Sequence, residues 1–183
     1  MSGADLWRAE AMLRHDRRRA LRDLERVFAS GMSPERLEGQ LPGRLVAMTL
    51  GPGLDFVFES IARLYMPWTG KAFDPEAKEG RNHVVRSARP MIRLAWPGYR
   101  DLRPDDAGGY TAFRFETSVG PSAVVPGTSV FRIDYDDPST PWPVRLVLDE
   151  VVDVGDGEHL GQALMRSRRG LRRVAWFALQ TPS

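Results

Sequence analysis

The chain has 183 residues, 42% of them hydrophobic and 27% charged, which is the profile of a globular domain large enough to bury a sizeable core. It has no cysteine, which excludes disulfides, thiolate metal sites, iron–sulfur ligation and a cysteine nucleophile. Its 26 basic residues are interleaved with 24 acidic ones for a net charge of +2, a pattern of solvated faces that points to no nucleic-acid partner. No apolar run approaches the ~20 residues of a membrane span. The polar start, Met1 to Glu10, carries no secretory signature, so a cytoplasmic protein is expected.

From Ala4 to Ala29 there is no Gly or Pro, and Leu6, Leu13, Ala20 and Val27 recur at heptad spacing, widened by Leu21, Leu24 and Phe28. This predicts one amphipathic helix with an arginine-rich outer face, ended by Ser30-Gly31. Ser33-Pro34-Glu35-Arg36 has the form of a short helix start, with Ser33 as N-cap. Gly39 to Gly43 and Pro42 exclude a helix, and Arg44 to Leu50 reads as a strand. Gly51-Pro52-Gly53 is a break. Leu54, Val57, Phe58, Ile61, Ala62 and Tyr65 then share one side of a helix over 54–65, which Pro67 terminates.

After Trp68 the period changes to two. Strands are predicted over Val84–Leu94, Tyr110–Thr117, Ser129–Tyr135, Val144–Val154, His159–Met165 and Arg172–Leu179, with turn residues such as Pro97-Gly98, Pro126-Gly127 and Gly155-Asp156-Gly157 between them. Connections this short leave no room for crossover helices, so neighbouring strands are antiparallel. In Ser129–Tyr135, Phe131, Ile133 and Tyr135 share one face while Arg132 and Asp134 share the other. Phe113 and Phe115 likewise oppose Arg114 and Glu116. An open sheet of about eight such strands would expose two edges, and closure into a barrel removes them. The expected fold is α+β, mostly β. It consists of a helical extension over 1–38 and an antiparallel barrel over 39–183, forming a single domain overall.

Gly39-Gln40-Leu41-Pro42-Gly43, followed by a Gly- and Leu-Asp-containing turn at Gly51–Asp55 and by Trp68-Thr69-Gly70-Lys71-Ala72-Phe73, resembles the bacterial GXWXG-type family. That family is of unknown function, and the resemblance implies a lipocalin-like (calycin-like) barrel. Leu41 stands where the family carries tryptophan, and a leucine would plug the closed end of such a barrel less completely. The run Asp149 to Leu164, followed by Trp176 to Leu179, looks like the closing hairpin of small ligand-binding barrels.

On a regular strand Trp68 and Phe73 face opposite sides, and Gly70 would relieve crowding or permit a bulge where the strand enters the barrel. Lys71, one of only two lysines, would point into the cavity or lie across its rim. The expected function is binding of a hydrophobic or anionic amphipathic small molecule inside the barrel, anchored by Trp68, Lys71, Phe113, Phe131, Arg132 and Tyr135. The first alternative is a cofactor-free isomerase, cyclase or hydrolase in the same cavity. Its candidate bases are His83 and Glu150, the latter expected to face inward with Leu146 and Leu148 while Asp149 and Asp153 face out. A desolvated inward acid or imidazole with no cationic partner would favour it. The second alternative is an interaction module built on the arginine-rich helix, with a homodimer through that helix. Docking of the Leu6/Leu13/Val27 stripe on the chain's own barrel would argue against it. The three histidines show no metal-ligand spacing, so no metal is expected. A lone histidine can ligate haem and His83 is the candidate, but no cofactor is expected.

Overall fold

The computed structural model describes residues 3–49, 68–105 and 108–182. The helix expected over 54–65 lies outside them. At the N-terminus there are two helices rather than one: α1 (Gly3–Met12) and α2 (Arg17–Ser30). The heptad stripe continues across the break, but Asp16 leaves the helix to cap α2, its carboxylate accepting from the Arg19 amide at 2.9 Å. Beyond Gly31 the chain is extended. Met32 exchanges two backbone hydrogen bonds with Asp153, at 3.2 and 2.7 Å. With Met32 held this way no helix restarts at Ser33–Arg36, and the Ser33 hydroxyl donates to the Pro34 carbonyl instead of capping.

The barrel is closed and antiparallel. Its strands are β1 (Gly39–Met48), β2 (Trp68–Asp74), β3 (Glu79–Val84), β5 (Tyr110–Pro121), β6 (Ser129–Asp134), β7 (Val147–Gly155), β8 (Glu158–Ser167) and β9 (Gly170–Gln180). The order runs β3-β2-β1-β9-β8-β7-β6-β5, and β3 pairs with β5 to complete an eight-stranded ring. A two-residue strand, β4 (Arg103–Pro104), is appended to β5. β1 begins earlier than the sequence suggested, because Gly39 to Pro42 themselves pair with β2, Leu41 opposite Lys71 and Pro42 opposite Gly70. Strand β3 stops at Val84 and is followed by α3 (Ala88–Ala95), not by a strand reaching Leu94. Ala88 and Ile92, four apart, bury one side of this helix. Pro90 falls in its first turn, where an amide would have no intrahelical acceptor. A single 3-10 turn, Val144–Leu146, precedes β7.

Two apolar layers form. Inside the barrel are Trp68, Phe73, Phe113, Phe115, Phe131, Ile133, Tyr135 and Phe177. Outside it, Leu6, Leu24, Val27 and Phe28 pack on Val152, Val154, Leu160, Trp176 and Ala178, with the Phe28 and Trp176 rings 5.6 Å apart edge to face. Strands β7 to β9 are therefore covered on both sides. The stripe of α1 and α2 is spent on the chain's own wall, which argues against the interaction-module alternative.

Candidate functional site

The side chains that could do chemistry converge inside the barrel, and β2 begins the site. The β2–β3 pairing is offset between Trp68 and Gly70, where Gly70 has φ +149° and a Cβ would run into the Leu41 carbonyl. This bulge reverses the parity, so Trp68, Lys71 and Phe73 all join the interior, whereas unbroken alternation puts Trp68 and Phe73 on opposite faces.

Lys71 is 1% exposed, and its ammonium has three oxygen partners: Asp149 Oδ2 at 2.9 Å, Asn82 Oδ1 at 2.9 Å and the Tyr135 hydroxyl. The Tyr135 hydroxyl in turn donates to Asn82 Oδ1 at 3.0 Å. Four rings surround Nζ, with centroids at 5.5 Å (Trp68), 5.3 Å (Phe115), 5.0 Å (Tyr135) and 5.4 Å (Phe177). Burial pulls the lysine below its usual titration range, and the facing Asp149 carboxylate pulls it partly back.

Asp149, with no exposed surface, is the inward carboxylate, while Glu150 lies outside the wall. The alternation had put them the other way round. Leu146 belongs to the 3-10 turn, and Leu148 is buried on the outer face, so apolarity could not mark the inner side. Glu150 accepts from the Ser122 hydroxyl (2.6 Å), the Ala123 amide (2.6 Å) and Gln162 Nε2 (2.7 Å). Gln162 accepts from Arg173 Nε at 2.6 Å, and Arg173 reaches Glu25 on α2 at 2.6 Å. Glu150 is thus the inner end of a clamp fastening α2 to the barrel, not a base in the cavity. Arg132 is also on the outer face, its guanidinium donating to the Pro121 carbonyl and lying against Gly120, so it is no interior anchor.

The other expected anchors face inward. Trp68, Phe113 and Tyr135, with Asn82, Val84, Val144 and Val147, line a cleft whose free space is about 10 Å³. That is room for about one water molecule. Phe131 is inward too, but away from this cleft: it packs on Phe73 at 6.0 Å and borders a groove near Leu37 and Lys78. Phe113 carries an unusual backbone. It is the extra residue where β5 slips against β3, with φ +53°, a region that bulky side chains rarely adopt. Its amide donates to the Tyr99 hydroxyl at 2.5 Å, and its ring stacks on Tyr99 (5.1 Å) and meets Trp96 edge to face (5.6 Å).

His83 is not in the barrel interior. It lines an outer groove of about 330 Å³ together with Gln40, Thr69, Arg86 and Asp105. Its Nδ1 is 2.9 Å from Asp105 Oδ2, and Asp105 Oδ1 accepts from the Gly109 amide at 2.8 Å. His83 is 8% exposed, and its Nε2, itself enclosed, has no hydrogen-bond partner among the described residues. Among the described residues, no group of three or more His, Asp or Glu could hold a metal ion.

Sequence reasoning missed Asn82, Asp149 and Phe177, and it placed Phe115 on the apolar face without counting it among the anchors. Asp149 left one signal, a carboxylate in the apolar run Val147 to Val152, but its neighbour Glu150 left the same one.

No protein-family model matches the chain, and no curated protein matches it. Among solved structures it is similar to a protein from Thermomonospora curvata, with a TM-score of 0.53 and 14% identity over 98% of this chain and 99% of that one. The likeness at that identity is one of fold. No helix among the described residues is long and apolar enough to cross a membrane.

Proposed function

We propose that the protein is a cytoplasmic, lipocalin-like binding barrel whose ligand is a small amphipathic molecule with an anionic or strongly hydrogen-bonding head. The carrying observation is the Lys71–Asp149 pair in the middle of the barrel, joined by Asn82 and Tyr135, which also line the apolar cleft. Ionised pairs in a core contribute little net stability against apolar replacements, so the presence of this one behind the polar groups of a cleft supports a binding role. The head group reaches Tyr135 and Asn82, and the tail takes the volume that Phe113 occupies here. Phe113 is the movable part, since its strained backbone is relieved when the bulge rearranges.

The two stretches that resemble the GXWXG-type family support the reading by their placement. They are adjacent antiparallel strands, and the Trp68 ring lies where a Cβ at Gly43 would be. Membership of that family is part of this proposal.

The test is native mass spectrometry of the freshly purified protein, with titration of tryptophan fluorescence by medium-chain fatty acids and by porphyrins. Binding of a fatty acid, tightened in Phe113→Ala and weakened about tenfold or more in Lys71→Met, is the expected result. No co-purified molecule and no response in either the wild-type chain or Phe113→Ala sinks the reading.

A second reading, a cofactor-free hydrolase, is favoured by the His83–Asp105 arrangement and moves from the cavity to the outer groove. Asp105 would fix the imidazole, and a shift of the ring that brings the enclosed Nε2 to the groove would let it take the proton of a water attacking an ester carbonyl and pass it to the departing alkoxide. Hydrolysis of p-nitrophenyl acetate at equal rates by the wild-type chain, His83→Gln and Asp105→Asn would dispose of it.

A further inference from the structure

We propose that the surface formed by α3 and the loop between β6 and β7 docks on an anionic phospholipid bilayer. Helix α3 buries Ala88 and Ile92 and turns Arg89, Arg93 and Leu94 outward, and Leu94 is 84% exposed. On the neighbouring loop Trp142 is 60% exposed. The Trp96 indole donates to the Trp142 carbonyl at 2.8 Å, which ties helix and loop into one surface. Val85, at the start of the segment, is also exposed.

Charge selects the occupant. Residues 85–105 carry five arginines (Arg86, Arg89, Arg93, Arg100, Arg103) and two aspartates. Both aspartates are engaged, Asp101 with Arg81 at 2.7 Å and Arg103 at 3.0 Å, and Asp105 with His83, and the two that the β6–β7 loop adds are paired as well, Asp136 with Arg145 at 3.0 Å and Asp137 with Arg114 at 3.6 Å. Arg86, Arg93 and Arg100 form no ion pair with a carboxylate among the described residues, and Arg89 lies over the Tyr110 ring at 5.7 Å. A purely apolar partner would leave these cations without counter-charge, and a nucleic acid would make no use of exposed Leu94. An anionic bilayer surface supplies phosphate for the arginines and an interfacial acyl layer for Leu94 and Trp142. The surface sits directly over the cleft, because Trp96 packs on Phe113 and Phe113 is one of the cleft's walls. This goes beyond the ligand-binding reading, and its test is independent of whether the barrel takes a ligand.

The experiment is co-sedimentation of the full chain with vesicles of phosphatidylcholine alone and of phosphatidylcholine mixed with phosphatidylglycerol. Sedimentation with the mixed vesicles only, reduced about tenfold at high salt, is expected. Leu94→Ser/Trp142→Ser and Arg93→Glu/Arg100→Glu should each lower it about tenfold with unchanged thermal unfolding. The Trp142 contact with Trp96 uses a main-chain carbonyl and survives the substitution. No sedimentation with mixed vesicles, equal sedimentation with neutral ones, or variants that behave as wild type overturn the proposal. So does retention by RNA or polyglutamate in place of vesicles.

Discussion

Three N–H groups of Lys71 meet three oxygens, from Asp149, Asn82 and Tyr135, at a place buried away from bulk solvent. Removing one partner of such a pair strands the other charge. Lys71→Met is expected to cost about 3–5 kcal/mol in urea unfolding, and Lys71→Met/Asp149→Leu to recover most of it. Tyr99 gives a prediction on the alkaline side. Burial pushes its phenol up to about 12, above the ordinary 10.0 of a tyrosine. The folded state therefore holds the proton longer than the unfolded chain, so this contribution is complete below pH 10 and is lost as pH rises through 12. Tyr99→Phe should abolish that alkaline loss, at a cost at neutral pH of about 1 kcal/mol for the hydrogen bond to the Phe113 amide. Unfolding midpoints across the alkaline range, wild type against variant, check both points. Lys71 was legible in the sequence because a lysine amid arginines, next to Trp and Gly, asks for a reason. Asp149 and Asn82 were not, since nothing local says which oxygen a buried ammonium will meet.

At the level of elements, alternation is informative only where one face of a strand meets water. It assigned β5 and β6 correctly, with Phe113, Phe115, Phe131, Ile133 and Tyr135 inside. It failed on β7, whose two faces are both covered, and so Asp149 and Glu150 were exchanged. It also failed over Val84–Leu94, where a β-rich start conceals the Ala88/Ile92 spacing of α3. The predicted N-terminal helix was right in its buried stripe and wrong in its continuity, because one capping carboxylate at Asp16 outweighs the pattern locally. The pairing of β1 with β2 makes its own prediction. A Cβ at Gly43 would collide with the Trp68 ring, which also packs edge to face with Phe177 at 5.7 Å. Gly43→Ala should therefore cost about 1–3 kcal/mol and perturb Trp68 fluorescence, although alanine is the better residue for an ordinary strand.

For the molecule as a whole, the antiparallel barrel was readable from strand count, turn spacing and the edge problem that a flat sheet would face. The fullness of its interior was not, since packing depends on where bulges such as those at Gly70 and Phe113 aim the aromatics. Burial on both faces of β7 to β9 sets a gradient of local stability. Amide hydrogen exchange should be slowest in Leu160–Ala163 and Ala175–Leu179 and fastest in α3 and β4. Faster exchange in β8 than in α3 would contradict this layering.

Because β3 bonds to β5, the described strands close into a ring, and one-sided pairing is left to overhanging stretches such as Thr117–Pro121 of β5, which bonds to β6 alone. Copies of this chain that meet in solution therefore do so mainly through side chains. Fibrillar stacking along whole strands would require the seam between residues 79–84 and 110–116 to be unzipped.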